Sequence, residues 1–318
     1  MTLRHPDRVT VVEVGPRDGL QNEARQISTT DKIAFVDRLS AAGLPVIEVS
    51  AFVSSKWIPR LADAGEVFAG ITPRAGVRYP ALVPNLAGLE RARAAGVREV
   101  AIFAASSDGF SLRNLNKNVA ASLDEYRGVC ARAIEAGIRV RAYLSTAFGC
   151  PYDGVVAPQR VATLTAALLA MGAFEVAISD TIGIAHPGQV GAVLDAVAAE
   201  APLSQVALHF HDTRGTALAN VLAALDAGIT TFDASAGGLG GCPYAPGAAG
   251  NLATEDLIYM LDGLGIDSGV DLGAVVSASQ FIEPLVGHAL PSRYLQAVTA
   301  HAPAAPPSRP PADHRSSS

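Results

Sequence analysis

The chain alternates between two hydrophobic patterns. Short β-branched runs recur at 9–15 (VTVVEVG), 45–52, 77–84, 99–106, 139–146, 174–181, 205–213 and 230–238, and they read as buried parallel strands. Between them lie alanine-rich segments with apolar residues three and four apart, such as Ile33, Val36 and Leu39 after the capping candidates Ser28 to Thr30. Leu218, Val221, Leu222 and Leu225 form another such stripe, and Pro187 suits a first helical position. Ala-Gly or Met-Gly pairs at 42–43, 95–96, 136–137, 171–172 and 227–228 stop each helix before the next strand, because the position past a helix end often needs a positive φ.

Eight strands alternating with helices predict a closed (β/α)8 TIM barrel. A doubly wound open sheet is the alternative, but no G-x-G-x-x-G turn follows the first run. The barrel is expected to end near Leu272 and extra C-terminal helices to fill 273–297. One catalytic domain over 1–297 results, with a Pro/Ser/Ala-rich tail at 298–318 expected to be disordered.

Composition narrows the class. Apolar residues make up 49% and charged residues 17% of 318, which suits a large core. The net charge is −6 with no basic run, so neither nucleic acid nor an anionic membrane surface is an expected partner. No apolar run reaches the ~18 residues of a spanning helix. The start, MTLRHPDR, carries no apolar signal segment, and Cys130, Cys150 and Cys242 show no C-x-x-C spacing. A soluble cytoplasmic protein with free thiols is the expectation.

The reactive residues gather at one end of the strands. In a closed barrel, chemistry sits at the C-terminal strand ends. There the first run leads into Gly15-Pro16-Arg17-Asp18-Gly19-Leu20-Gln21-Asn22-Glu23, the second carries Glu48, and the sixth ends at Asp180. The seventh ends at His209 and His211, which point to the same face because side chains alternate along a strand. A glycine-rich loop then delivers Cys242 and Asn251.

The stretches GPRDGLQNE, IEVSAFVSSKWIPRLAD, GCPYDG, SDTIG, HFHDT and GGLGGCPYAPGAAGNLATED resemble the 3-hydroxy-3-methylglutaryl-CoA lyase family over residues ~9 to ~290. The resemblance implies a barrel enzyme that cleaves a carbon–carbon bond. It implies Asp18, His209, His211 and Asn251 as ligands of a divalent cation, Mg²⁺ or Mn²⁺, since a mixed, mostly hard donor set suits either. It further implies Arg17 as the group stabilising an enolate, Cys242 as a proton donor, and Asp180, Glu48 and His209 as further active-site residues. Arg17, Gln21 and Asn22 are expected to bind substrate. Asp180 could accept the C3 hydroxyl proton or orient a neighbour, and Glu48 could hold Arg17 or His209 in place.

The implied reaction splits (S)-3-hydroxy-3-methylglutaryl-CoA into acetyl-CoA and acetoacetate, in an expected homodimer. Cys130 reads as core, and a direct role for Cys150 is not expected. Alternatives are a lyase for a homologue with a larger C3 substituent and a Claisen-condensing acyltransferase of the isopropylmalate synthase type. Arg214 and Thr216 replace the Tyr and Gln common after the HDT turn, and Thr146 stands where some members have Cys. Because a guanidinium suits a charged substrate end better than hydrocarbon, Arg214 favours the methyl substrate.

Overall fold

The computed structural model describes residues 5–240 and 250–300. Nine parallel strand segments form one sheet in the order β2-β1-β9-β8-β7-β6-β5-β4-β3. They are β1 (Thr10–Glu13), β2 (Val46–Ile47), β3 (Ser50–Ala51), β4 (Ala81–Leu82), β5 (Glu99–Ala105), β6 (Arg139–Ser145), β7 (Glu175–Asp180), β8 (Val206–Phe210) and β9 (Thr231–Ala234). The two edge segments, β2 and β3, are halves of one interrupted strand. Through it Glu48 N–H bonds Glu13 O on one side, while Ile47 N–H bonds Arg78 O and Val49 N–H bonds Pro80 O on the other. Eight staves therefore close on themselves, as the periodicity predicts.

The third stave is shorter than the predicted run 77–84. Pro80 and Pro84 flank Ala81–Leu82, and neither ring nitrogen has a hydrogen to give to a ladder.

The helices α1 (Thr29–Ala41), α2 (Ala64–Gly70), α3 (Leu86–Ala94), α4 (Asp108–Leu115), α5 (Val119–Glu135), α6 (Pro158–Ala170), α7 (Pro187–Ala198), α8 (Ala217–Asp226) and α9 (Thr254–Gly263) ring the barrel. Ser28 caps α1 by accepting from Asp31 N–H at 3.1 Å. Phe35, Val36 and Leu39 on α1 are fully buried, whereas Ile33 is half-buried. The glycines at 43, 96, 137, 172 and 228 all take positive φ, so each helix stop works as expected. Two further helices follow, α10 (Leu272–Val286) against α1 and α11 (Arg293–Ala300) against α9. The last helix thus continues to Ala300, three residues past the expected boundary at 297. The tail expected to be disordered lies, from 301 onward, outside the described residues.

Inside the barrel the filling is uneven. Ala101, Ala177 and Ala207 pack with Tyr143 and Leu82. Around them stand buried Glu48, Arg141, His209 and Asp233. An interior that holds charge where bulky aliphatic residues usually sit is built for a site.

Candidate active site

The first candidate ligand, Asp18, is delivered by a tight turn. Beyond Glu13 the chain winds through one π-helical turn, Gly15–Gly19, in which Val14 O accepts the N–H groups of Arg17 (3.2 Å), Asp18 (2.7 Å) and Gly19 (3.2 Å). Such turns are rare and gather at functional sites. Gly15 and Gly19 permit it: a Cβ would meet Glu13 Oε1 at 2.6 Å and Leu239 Cβ at 2.8 Å respectively.

The turn places Arg17 and Asp18 side by side, with Arg17 Nη1 2.5 Å from Asp18 Oδ1. Glu48 grips the other edge of the guanidinium, taking Nε at 2.7 Å and Nη2 at 3.3 Å. Tyr143 O–H donates to Glu48 Oε2, and its ring lies 5.2 Å below the guanidinium carbon. Burial works against the charge on Arg17, but Glu48 and then Asp18 more than offset it, so the group stays ionised. Burial likewise favours a proton on Asp18; Arg17 and the two nearby imidazoles overrule it and hold the carboxyl at about 2.

The imidazoles come from β8. His209 lies within it and His211 just past it, with ring centroids 5.3 Å apart. Asn251 is brought alongside by backbone pairing. It bridges His211, while Leu252 N–H bonds Phe210 O and Asp212 N–H bonds Gly250 O. The Asn251 amide donates to Asp18 Oδ2 at 2.9 Å and Leu239 O at 3.0 Å. It is no helix cap, since α9 starts three residues later with Ala253 as its cap.

One ligand atom each from Asp18, His209 and His211 lie within 4.8 Å of one another. Two buried polar atoms beside them, His211 Nδ1 and Asn251 Oδ1, have no hydrogen-bond partner among the described residues. A buried acceptor left unmatched costs on the order of 1–3 kcal/mol, which a bound cation relieves. Burial, helped by His209, drives the His211 pKa down to about 4, so its lone pair is free at neutral pH. Oxygen and imidazole donors together fit Mg²⁺ or Mn²⁺.

The other predicted residues fall into place differently. Gln21 Nε2 donates to Asp18 Oδ1 at 2.8 Å, and Asn22 is exposed on the same turn. Asp180, at the end of β7, spends its oxygens on the N–H groups of Ile184 (3.0 Å) and Ala185 (2.9 Å), and burial raises its pKa. Glu48 holds Arg17, and His209 is held instead by Asp233, whose Oδ2 lies 3.1 Å from Nδ1. Cys242 lies outside the described residues. Cys130 is buried in the core, and Cys150 Sγ accepts the N–H groups of Tyr152 and Asp153, holding a turn. Arg214 is exposed and donates to the carbonyls of Ile182 and Gly183 at 3.0 and 2.8 Å. It ties two rim loops together, and it lines one cavity with Asp212, Gly250 and Asn251.

Asp233, Arg141 and Tyr143 escaped the sequence reading. Each carried a signal: a charge or hydroxyl inside an otherwise apolar parallel strand, TTFDAS or RVRAYLS.

A family model described as HMGL-like matches residues 8–282. The chain belongs to the HMGL-like family. It is 52% identical over 297 residues to the 3-hydroxy-3-isohexenylglutaryl-CoA/hydroxy-methylglutaryl-CoA lyase of Pseudomonas aeruginosa, covering 93% of this chain and 99% of that protein. It is 51% identical over 294 residues to a hydroxymethylglutaryl-CoA lyase of Bacillus subtilis, covering 92% and 98%. The crystal structure of hydroxymethylglutaryl-CoA lyase from Pseudomonas aeruginosa superposes with a TM-score of 0.92 over 94% of this chain and 99% of that one, at 52% identity. In this HMGL-like chain, no helix among the described residues is long and apolar enough to cross a membrane.

Proposed function

We propose that this chain is a divalent-metal-dependent lyase that cleaves (S)-3-hydroxy-3-methylglutaryl-CoA to acetyl-CoA and acetoacetate. One observation carries the reading: Asp18, His209, His211 and Asn251 converge on one rim of the barrel, directly beside an arginine clamped by Glu48. Relatives at about 50% identity that carry the lyase name support the substrate.

Asp18, His209, His211 and Asn251 would hold the cation, Mg²⁺ or Mn²⁺. Such an ion supplies Lewis acidity and a template for substrate oxygens. The C3 hydroxyl gives up its proton to a base of the rim, the C2–C3 electron pair moves onto the thioester as an enolate, and C2 then takes up a proton. Arg17 is assigned to the enolate oxygen. Its guanidinium is fixed in advance by Glu48 and Asp18, so little reorganisation is needed as charge develops. Cys242 is assigned as the proton donor to C2, Gln21 and Asn22 to substrate contact, and Asp180 to holding the Ile184–Ala185 loop edge.

The homologous substrate with a larger C3 substituent stays open as a second reading, because the Pseudomonas relative bears both names. Acetyl-CoA release from 3-hydroxy-3-methylglutaryl-CoA and from a long-chain 3-alkenyl analogue separates them. A preference for the analogue of about tenfold in kcat/KM, equal to ~1.4 kcal/mol, would reverse the assignment. A homodimer is proposed as the assembly. Tyr259, 62% exposed with its ring tilted against that of Tyr294, offers a contact for it, and sedimentation equilibrium reads the state. Unpaired Cys130 and Cys150 support a reducing, cytoplasmic setting.

A further inference from the structure

Asp233 stands on β9 inside the barrel, fully buried, with two partners at once. Arg141 on β6 aims its fork at it, Nη2 to Oδ1 at 2.8 Å and Nη1 to Oδ2 at 3.2 Å. The remaining guanidinium edge, Nε, bonds Glu175 Oε1 at 2.7 Å. Asp233 Oδ2 also meets His209 Nδ1 at 3.1 Å.

The chemistry of these groups leaves one arrangement. An arginine has only donors and keeps its proton, so the carboxylate facing its fork stays ionised and can only accept. His209 Nδ1 must therefore carry a hydrogen, which leaves the lone pair on Nε2. His211 has no such anchor, since its Nδ1 is without a partner among the described residues. The chain thus orients one of the two imidazoles and leaves the other to adjust.

We infer that Asp233, fixed in place by Arg141, is a positioning residue that locks the His209 tautomer and so presets the metal seat. The inference rests on the metal reading proposed above.

Asp233→Asn is the informative change. Its oxygen would turn to Arg141 and its NH2 group to His209 Nδ1, which must then accept, moving the ring hydrogen to Nε2 where the ligand lone pair is needed. Mn²⁺ affinity of the metal-stripped protein, measured by electron paramagnetic resonance of free Mn²⁺, is expected to weaken tenfold to a hundredfold while circular dichroism stays unchanged. A folded Asp233→Asn protein that binds Mn²⁺ within threefold of wild type overturns the inference. So that the outcome does not hang on that variant folding, long-range ¹H–¹⁵N spectra of ¹⁵N-histidine-labelled, metal-free wild type read the tautomer directly. A hydrogen on Nδ1 of His209 is expected, and an Nδ1 without one refutes the role. Wild type that binds no Mn²⁺ but shows the Nδ1 hydrogen would sink the metal reading while leaving the Asp233 contact intact.

Discussion

Arg17 is held by Glu48, His209 by Asp233 and Asn251 by Leu239 O, while His211 has no such hold on its Nδ1 among the described residues. His211→Ala removes a proposed ligand at a strand end that adds little to the core. Metal affinity and most of kcat should be lost with the melting temperature nearly unchanged, as titration with Mn²⁺ and thermal unfolding would show. Arg17→Gln should lower kcat by a hundredfold or more with a modest change in KM, because the interaction is strongest once charge has developed. Glu48→Gln leaves Arg17 in place but ungripped, and should fall in the same direction by less. Cys242→Ser should also act on kcat rather than KM. Cys130→Ser should leave activity untouched and cost about 1 kcal/mol of stability, since it buries a hydroxyl in the core. Of the four proposed ligands, His209 and His211 were legible because they share a strand face, whereas Asp18 and Asn251 followed from the resemblance of GPRDGLQNE and the glycine-rich loop to the lyase family. Asp233 and Tyr143 were not legible, since their meaning depends on which staves face each other across the barrel.

At the scale of elements, the site is assembled by backbone approach. Asn251 reaches His211 because the chain at 250–252 pairs with the end of β8, and this pairing leaves no room at Gly250. A Cβ there would meet Gly238 O at 2.2 Å and Gly240 O at 2.7 Å. Gly250→Ala should therefore push Asn251 from its place and weaken Mn²⁺ binding at least tenfold, with far-UV circular dichroism retained. Unchanged affinity would show that the ligand loop tolerates the shift. Element positions were legible in the alternation of β-branched and alanine-rich runs, and the helix-stopping glycines marked the return to each strand. Strand lengths were less so. The prolines at 80 and 84 shorten the third stave, and Glu48 falls at the interruption between β2 and β3, where the strand changes partner.

Across the whole molecule, two buried carboxylates behind the site tie the barrel rim to the outer helices. Glu13 accepts from Gly15 and Ala236 N–H (2.8 and 2.9 Å) and from Thr254 Oγ1 (2.7 Å). Glu255 accepts from Gly237 N–H and from the Ser279 hydroxyl. Burial pushes both to about 7 from an ordinary 4.5, against the pull of those hydrogen bonds. A carboxyl whose pKa is raised by folding keeps its proton in the fold after the unfolded chain has lost it. Its stabilising contribution is full below pH 4.5 and fades as pH rises to about 7. Glu13→Gln removes that dependence while keeping the shape. The stability of wild type relative to Glu13→Gln, from urea unfolding, should therefore fall between pH 4.5 and 7.5 by up to about 3 kcal/mol. A gap that stays constant with pH would show that Glu13 is ionised in the fold.

The rim formed by β1, β8 and the Asn251 turn is proposed as a metal-dependent carbon–carbon lyase site. A coupled assay for acetyl-CoA release from (S)-3-hydroxy-3-methylglutaryl-CoA tests it most directly, run on protein stripped with EDTA and then resupplied with Mn²⁺ or Mg²⁺. Activity should disappear on stripping and return with either ion in wild type but not in His211→Ala. Full turnover by the stripped protein, or no acetyl-CoA from the resupplied one, would contradict it.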